Sequence, residues 1–276
     1  MTTQQLEAAL GRIAEWPVDN AAAAVVAANG TVLAQYGDTQ RRFALASVTK
    51  PLSAFAALVA VEEGVCELDD AAGPEGSTVR HLLAHASGLD FSEDRVWARP
   101  GERRIYSNRG FDVLAHTLHE RSGIPFATYM EEALFQPLGM TGSSLDGSAA
   151  AAGTSTVSDL ARFVAELQQP TVVAEQTLSE ATTVVFPGLD GMLPGYGTQR
   201  PNDWGLGFEL RGNKTPHWTG ANNSASTFGH FGQSGTFLWV DPQAQVGCVA
   251  LTDRNFGAWA KPLWPELSDA VLTALS

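Results

Sequence analysis

Apolar positions recur at helical spacing near the start of the chain. In QQLEAALGRIAEW (residues 4–16), Leu6, Ala9, Leu10 and Ile13 share one face, which predicts a surface helix. The pattern then changes to strand-like runs. AAAAVVAANG (21–30) and TVLAQYG (31–37) meet at Asn29-Gly30, a strong hairpin signal. VTKPLSAFAALVAVEEG (48–64) reads as a helix that starts close to Ser47 and ends near Gly64. Pro51 fits that helix only in its first turn, where a missing N–H breaks no helical hydrogen bond.

From about residue 66 to 204 short helical patterns alternate with Gly- and Pro-containing loops: STVRHLLAHASGL (77–89), GFDVLAHTLHERSG (110–123), PFATYMEEALFQPLGM (125–140) and TVSDLARFVAELQQP (156–170). FPGLDGMLPGYGTQRPNDWG (186–205) reads as a long irregular connection. Strand signals return in WGLGFELRG (204–212), ASTFGHFG (225–232), GTFLWVDP (235–242) and QVGCVALTD (245–253), and WPELSDAVLTALS (264–276) closes the chain as a helix. Strands at both ends with helices between predict an α+β fold. Residues 1–65 and 205–276 would form a sheet subdomain, with 66–204 a mostly helical subdomain inserted between them.

Charge narrows the partners. Among 276 residues, 30 Asp and Glu against 17 Lys and Arg leave a formal charge of −13, which repels nucleic acid and anionic membrane surfaces. No apolar run approaches the roughly 18 residues of a membrane span, and the first residues lack a basic leader followed by an apolar core. A cytoplasmic protein acting on a small molecule is the expectation, with the oligomeric state left open. Cys66 ends a helix-like stretch and Cys248 lies in an apolar strand, and both read as buried free thiols.

The chain has only three lysines, and one of them, Lys50, sits in the apolar run ALASVTKPLSAF (44–55), three residues after Ser47. Three residues along a helix return a side chain to the same face. A lysine desolvated by Ala46, Val48, Leu52 and Phe55 could lose its proton near neutral pH and activate the hydroxyl as a nucleophile. The helix start also offers free N–H groups to a developing oxyanion. Alone, Ser-x-x-Lys is a short motif that chance supplies, and Ser47 could be only an N-cap with a snorkelling lysine.

Two further stretches change that balance. PGERRIYSNRGFDVLAHTL (100–118) holds Tyr106 and Asn108 just before a helix, and FGHFGQSGTFLWVDP (228–242) carries His230 and Gly232 into a strand. Together with LLAHASGL, PLGM, STVSDLARF and WGLGF, in that order, the chain resembles the serine β-lactamase and penicillin-binding superfamily. The similar branch is the one that holds class C enzymes, DD-peptidases and family VIII-like esterases. The likeness spans about residues 22–255 and implies an antiparallel sheet flanked by helices beside a helical subdomain, with the site at their seam. It implies Ser47 as the acylated nucleophile, with Lys50 and Tyr106 moving the proton and either one the immediate base. A lysine beside the phenol is expected to lower the Tyr106 pKa. Asn108 would hold the lysine and the substrate, and the backbone N–H groups of Ser47 and Gln233 would form the oxyanion hole. Gly232 would let the strand edge approach the acyl group. His230 stands where the family's residue faces a substrate carboxylate. With an unperturbed pKa of about 6.5 it would be cationic only in mild acid.

Other readings carry less. His81/His85 and His116/His119 sit at helical spacing, but Leu82 follows His81 where a zinc-protease helix needs Glu, so no metal is expected. No Gly-x-Ser-x-Gly, Walker or dinucleotide glycine pattern occurs, so neither a nucleophile-elbow hydrolase nor a cofactor is expected. Arg95, Arg99, Arg103 and Arg104 read as a solvated loop that could also lie over the site mouth and favour an anionic substrate. Trp97 and Trp204 are candidate pocket walls or core. The favoured function is a serine hydrolase of small esters or amides. The alternatives are DD-peptidase or β-lactamase activity, or a binding protein that acylates and stalls.

Overall fold

A computed structural model describes residues 3–276. The chain opens with α1 (Thr3–Gly11), continued by a 3-10 turn at Arg12–Glu15. The hairpin β1 (Ala21–Ala27) and β2 (Val32–Tyr36) follows, then β3 (Phe43–Ala44) and α2 (Thr49–Glu62). The middle of the chain holds α3 (Val79–Leu83), α4 (Asn108–Ser122), α5 (Phe126–Met130), β4 (Ser144–Leu145), β5 (Gly153–Ser155), α6 (Val157–Glu166) and α7 (Glu175–Ala181). Then come β6 (Gly191–Leu193), β7 (Gly197–Gln199), β8 (Glu209–Leu210), β9 (Phe228–Gly232), β10 (Thr236–Asp241), β11 (Val246–Thr252) and α8 (Ala260–Leu275).

The two ends of the chain build one six-stranded antiparallel sheet, ordered β2-β1-β11-β10-β9-β8. Its central strands are apolar on both faces because both faces are covered. Ala22, Ala24, Val26, Leu238, Val249 and Leu251 join a core with α2, α4 and α6. The alternate positions Ala23, Val25, Phe237, Trp239, Cys248 and Ala250 join a second core with α1 and α8. This is the α+β architecture that the motifs imply. Both cysteines are buried and free.

Helix α2 is buried at every position from Thr49 to Ala60 and packs against α4, α5 and β9. A small sheet, β3-β5-β4, ties the segment before Ser47 to residues 144–155. Among the described residues, no helix is long and apolar enough to cross a membrane.

Three elements differ from the pattern reading. The stretch read as irregular, 186–205, contains the β6/β7 hairpin, whose three-residue, glycine-bearing strands lack an apolar alternation to reveal them. WGLGFELRG supplies only the two residues of β8. Gly207 (φ +85°) turns against α2 there, and a Cβ would come 2.1 Å from that of Ala54. Helix α8 begins at Ala260, before Pro265, so the proline lies inside the helix and not in its first turn.

Candidate active site

Ser47 sits in a one-turn 3-10 segment, Ala46–Val48, that runs straight into α2. Ala46 is held at φ +46°, in the left-handed region that an alanine avoids by roughly 1–2 kcal/mol. Surrounding bonds hold that turn. The Leu45 N–H donates to Gly153 O (2.9 Å), and Leu45 O accepts from the Thr236 hydroxyl (2.8 Å). Thr49 Oγ1 donates to Ala46 O (2.7 Å) and accepts the Gly153 N–H (2.9 Å). On the far side is Gly232, where a Cβ would lie 2.2 Å from Leu45 O. Its glycine therefore serves to seat β9 against the turn that carries Ser47.

Lys50 is buried, and its Nζ faces three acceptors: Asn108 Oδ1 at 2.6 Å, Ala150 O at 3.0 Å and Ser47 Oγ at 3.3 Å. The Ala150 carbonyl is carried by a strapped loop. Ser148 Oγ donates to Asp112 Oδ1 (2.6 Å), and Ser53 Oγ donates to Ala149 O (2.6 Å). Burial lowers the Lys50 pKa to about 7, with the Asp112 carboxylate opposing part of the shift. A neutral amine has two hydrogens and one lone pair. Asn108 and Ala150 take the two hydrogens, which leaves the lone pair for the Ser47 hydroxyl.

Tyr106 lies across the same site, its ring centroid 4.6 Å from Lys50 Nζ. The expected lowering of its pKa is not what the structure gives. Burial among the rings of His85, Trp204 and Phe91 pushes it up, and its bond with Ser47 offsets only part of that rise. Tyr106 therefore keeps its proton at neutral pH. Its hydroxyl stands 3.4 Å from His230 Nε2. His230 Nδ1 donates to Phe231 O at 2.6 Å, because a carbonyl can only accept, so Nε2 is left as an acceptor facing the phenol.

His230 also departs from expectation. Burial, and then the Lys50 charge, lower its pKa from 6.5 to about 3. It is neutral throughout the physiological range and offers a carboxylate no positive charge. The carboxylate Glu209, ionised by its bonds to Lys214 and His217, lines the same cavity. No sequence pattern singled it out.

Gln233 follows β9 at the cavity edge, its side chain anchored by Nε2 donating to Phe256 O (3.2 Å). Among the described residues, neither the Ser47 nor the Gln233 backbone N–H has a backbone acceptor. The cavity here is about 160 Å³, and Ser47, Tyr106, Trp204, His230, Phe231 and Gln233 are among the residues that line it. The structure thus brings Ser47, Lys50, Tyr106, Asn108, His230, Gly232 and Gln233 to one place.

The sequence matches the Beta-lactamase family model over residues 17–272. The chain belongs to the beta-lactamase family. A crystal structure of a beta-lactamase from Mycobacterium bovis superposes with a TM-score of 0.96 at 60% identity, covering 97% of this chain and 99% of that one. EstCE1, a hydrolase with promiscuous acyltransferase activity, superposes with a TM-score of 0.80 at 19% identity, over 98% of this chain and 99% of that one, and bears on the fold alone. Penicillin-binding protein 4* of Bacillus subtilis (strain 168) is 28% identical over 165 residues, 41% of this chain. That match spans only 37% of the Bacillus protein's length.

In this beta-lactamase family chain the remaining singled-out residues have ordinary tasks. Arg104 is buried, and its guanidinium donates to the carbonyls of Ala84, Val185, Phe186 and Asn202. Arg95 and Arg99 are exposed and pair with Glu93 and Glu102, and Arg103 is exposed beside a groove next to the site. His81 Nδ1 bonds the Thr78 hydroxyl (2.8 Å), and its ring stacks on Phe186. Trp204 is core and pocket wall at once: it is buried and touches the His85, Tyr106 and His230 rings. Trp97 is 58% exposed.

Proposed function

We propose that this chain hydrolyses small uncharged esters or amides, esters foremost, through an acyl-enzyme on Ser47. The observation that carries this reading is Lys50 Nζ held 3.3 Å from Ser47 Oγ by two other acceptors, in a lysine whose pKa burial has brought to about 7. Lys50 is the immediate base, because Tyr106 keeps its proton at neutral pH.

In the proposed reaction Ser47 Oγ bonds to the substrate carbonyl carbon as its proton passes to Lys50. The carbonyl oxygen takes the negative charge and accepts the Ser47 and Gln233 N–H groups. As the tetrahedral centre collapses, the bond to the leaving oxygen or nitrogen breaks and Tyr106 gives its proton to that atom. The proton held by Lys50 then replaces the one Tyr106 lost. Water attacks the acyl carbon in the second half, its proton returns along the same path, and Ser47 leaves with its hydroxyl restored. A neutral His230 at the cavity offers a carboxylate no charge partner, which favours uncharged substrates over carboxylate-bearing ones.

The second reading, β-lactam hydrolysis, rests on the 60% identity to a structure described as a beta-lactamase. A panel of p-nitrophenyl esters, D-amino-acid amides, D-Ala-D-Ala peptides and nitrocefin, with Ser47→Ala as blank, separates the two. Ester turnover far above that of nitrocefin and peptide supports the first reading, and the reverse order overturns it.

A further inference from the structure

A second, larger hollow of about 890 Å³ adjoins the reaction cavity and shares Phe91, Tyr106 and Pro194 with it. Its walls are the segments 91–106 and 188–200. The apolar side chains on them are exposed: Phe91 is 52%, Trp97 58% and Met192 64% accessible. Large apolar side chains grouped in the open next to a reaction site are a ligand surface by default.

The walls are fixed before any ligand arrives. Arg104 N donates to Asp190 O (3.0 Å), and a Cβ on Gly191 would stand 2.3 Å from Arg104 O, so the two segments touch at their base. Trp97 is held by its own bonds, its N–H donating to Gly88 O (2.8 Å) and its indole Nε1 to Asp90 Oδ2 (2.5 Å). On the rim Arg200 pairs with Asp190 and Arg103 stands beside Glu102, while the Arg104 guanidinium turns into the core onto backbone carbonyls.

On the hydrolase reading above, we infer that this groove receives the alcohol half of the ester, and that the acyl half stays in the cavity at Ser47. Preferred substrates are then short-acyl esters of bulky, uncharged alcohols. The direction follows from which residues line which space. Ser47 and Gln233, which face the carbonyl carbon and its oxygen, line only the small cavity. Tyr106, which must reach the leaving oxygen, lines both. A leaving oxygen beside Tyr106 therefore points its substituent into the groove. At about 160 Å³ the small cavity matches one that holds a benzene-sized group, roughly 150 Å³. The groove is in the size range of sites for whole drug-sized ligands.

Two isomeric esters of similar intrinsic reactivity test this. In 2-naphthylmethyl acetate the ring is in the alcohol, and in methyl 2-naphthylacetate it is in the acid. After correction for alkaline hydrolysis rates, kcat/KM should favour the acetate by about 10-fold or more. Trp97→Ala and Met192→Ala should each shrink that preference, mainly by raising KM for the acetate. An equal or reversed preference, or one untouched by both substitutions, overturns the assignment. Protection of Ser47 from a fluorophosphonate by 2-naphthylmethanol, measured in the same variants, needs no turnover. If neither ester is hydrolysed but the alcohol protects wild type and not Trp97→Ala, the hydrolase reading fails while the groove assignment stands. If the alcohol gives no protection, the groove assignment falls.

Discussion

His85 grips Tyr106 from both sides in sequence: its carbonyl oxygen accepts the Ile105 N–H at 2.9 Å, and its Nδ1 accepts the Ser107 N–H at 3.1 Å. The residue is buried, neutral because burial holds its pKa well below 6.5, and sits at φ +54°. The motif reading expected a structural hydrogen bond here, and the structure shows what it positions. His85→Ala should lower kcat by on the order of 10²-fold, the scale of a small misplacement of a reacting group. Asn tolerates the left-handed backbone and places an acceptor near Nδ1, so His85→Asn should recover most of the loss. In a Tyr106→Phe background, His85→Ala should have little further effect. A full additional loss there would mean His85 acts through the general fold and not through Tyr106.

Lys50 should set the acid limb of the pH profile. In the proposed mechanism its neutral form is the base, so kcat/KM for a neutral ester should rise with pH through about 7. The same shift appears in stability. Between about pH 7 and the unfolded-state pKa of about 10.4, the unfolded chain holds a proton on this lysine that the folded chain lacks. Folding stability attributable to Lys50 therefore rises with pH in that window, by about 1.4 kcal/mol per unit. Urea melts of wild type and Lys50→Met at pH 7 and 9 read this as a difference that moves in favour of wild type. A constant difference contradicts a lowered pKa.

In the proposed mechanism Lys50 and Tyr106 serve one proton path, and Lys50 Nζ lies 4.6 Å from the phenol ring centroid. Lys50→Ala and Tyr106→Phe should each lower kcat by about 10²-fold or more, and the double variant should lose much less than the product. Single-turnover acylation rates decide it. Multiplicative losses would place the two residues in separate steps.

His230 gains a proton only near pH 3, so it cannot switch substrate preference in the neutral range. The ratio of kcat/KM for a carboxylate-bearing ester to that for its neutral methyl ester should be low and flat between about pH 5.5 and 8.5. β-Lactams, which carry a carboxylate, should acylate slowly and turn over poorly. A ratio that falls through about pH 6.5 would show that His230 titrates in place and would restore the anion-recognition role.

Much of this was legible in the sequence, for physical reasons that differ by residue. The apolar run around Lys50 announces burial, and Pro51 fixes where α2 can begin. Asn29-Gly30 locates the β1/β2 hairpin. The unread parts depend on the tertiary surroundings. Ala150 contributes a backbone carbonyl, which leaves no side-chain signature. Arg103 and Arg104 are identical neighbours, and only the register of the bridge to Gly191 sends one to solvent and the other into the core. The shifts of Tyr106 and His230 come first from desolvation among rings distant in sequence, which at Tyr106 outweighs the bond with Ser47 and at His230 acts in the same direction as the Lys50 charge.

The central claim is that Ser47 is the nucleophile and Lys50 its base, and one labelling experiment tests both. Ser53 is buried with its hydroxyl on Ala149 O, and Ser107 caps α4 by accepting the Gly110 N–H, so neither is free to react. Peptide mapping after fluorophosphonate treatment at pH 8 should find the adduct on Ser47 alone, formed at least about 10²-fold more slowly in Lys50→Met. Label on Ser53, Ser107 or Ser234, or an unchanged rate in Lys50→Met, would contradict it.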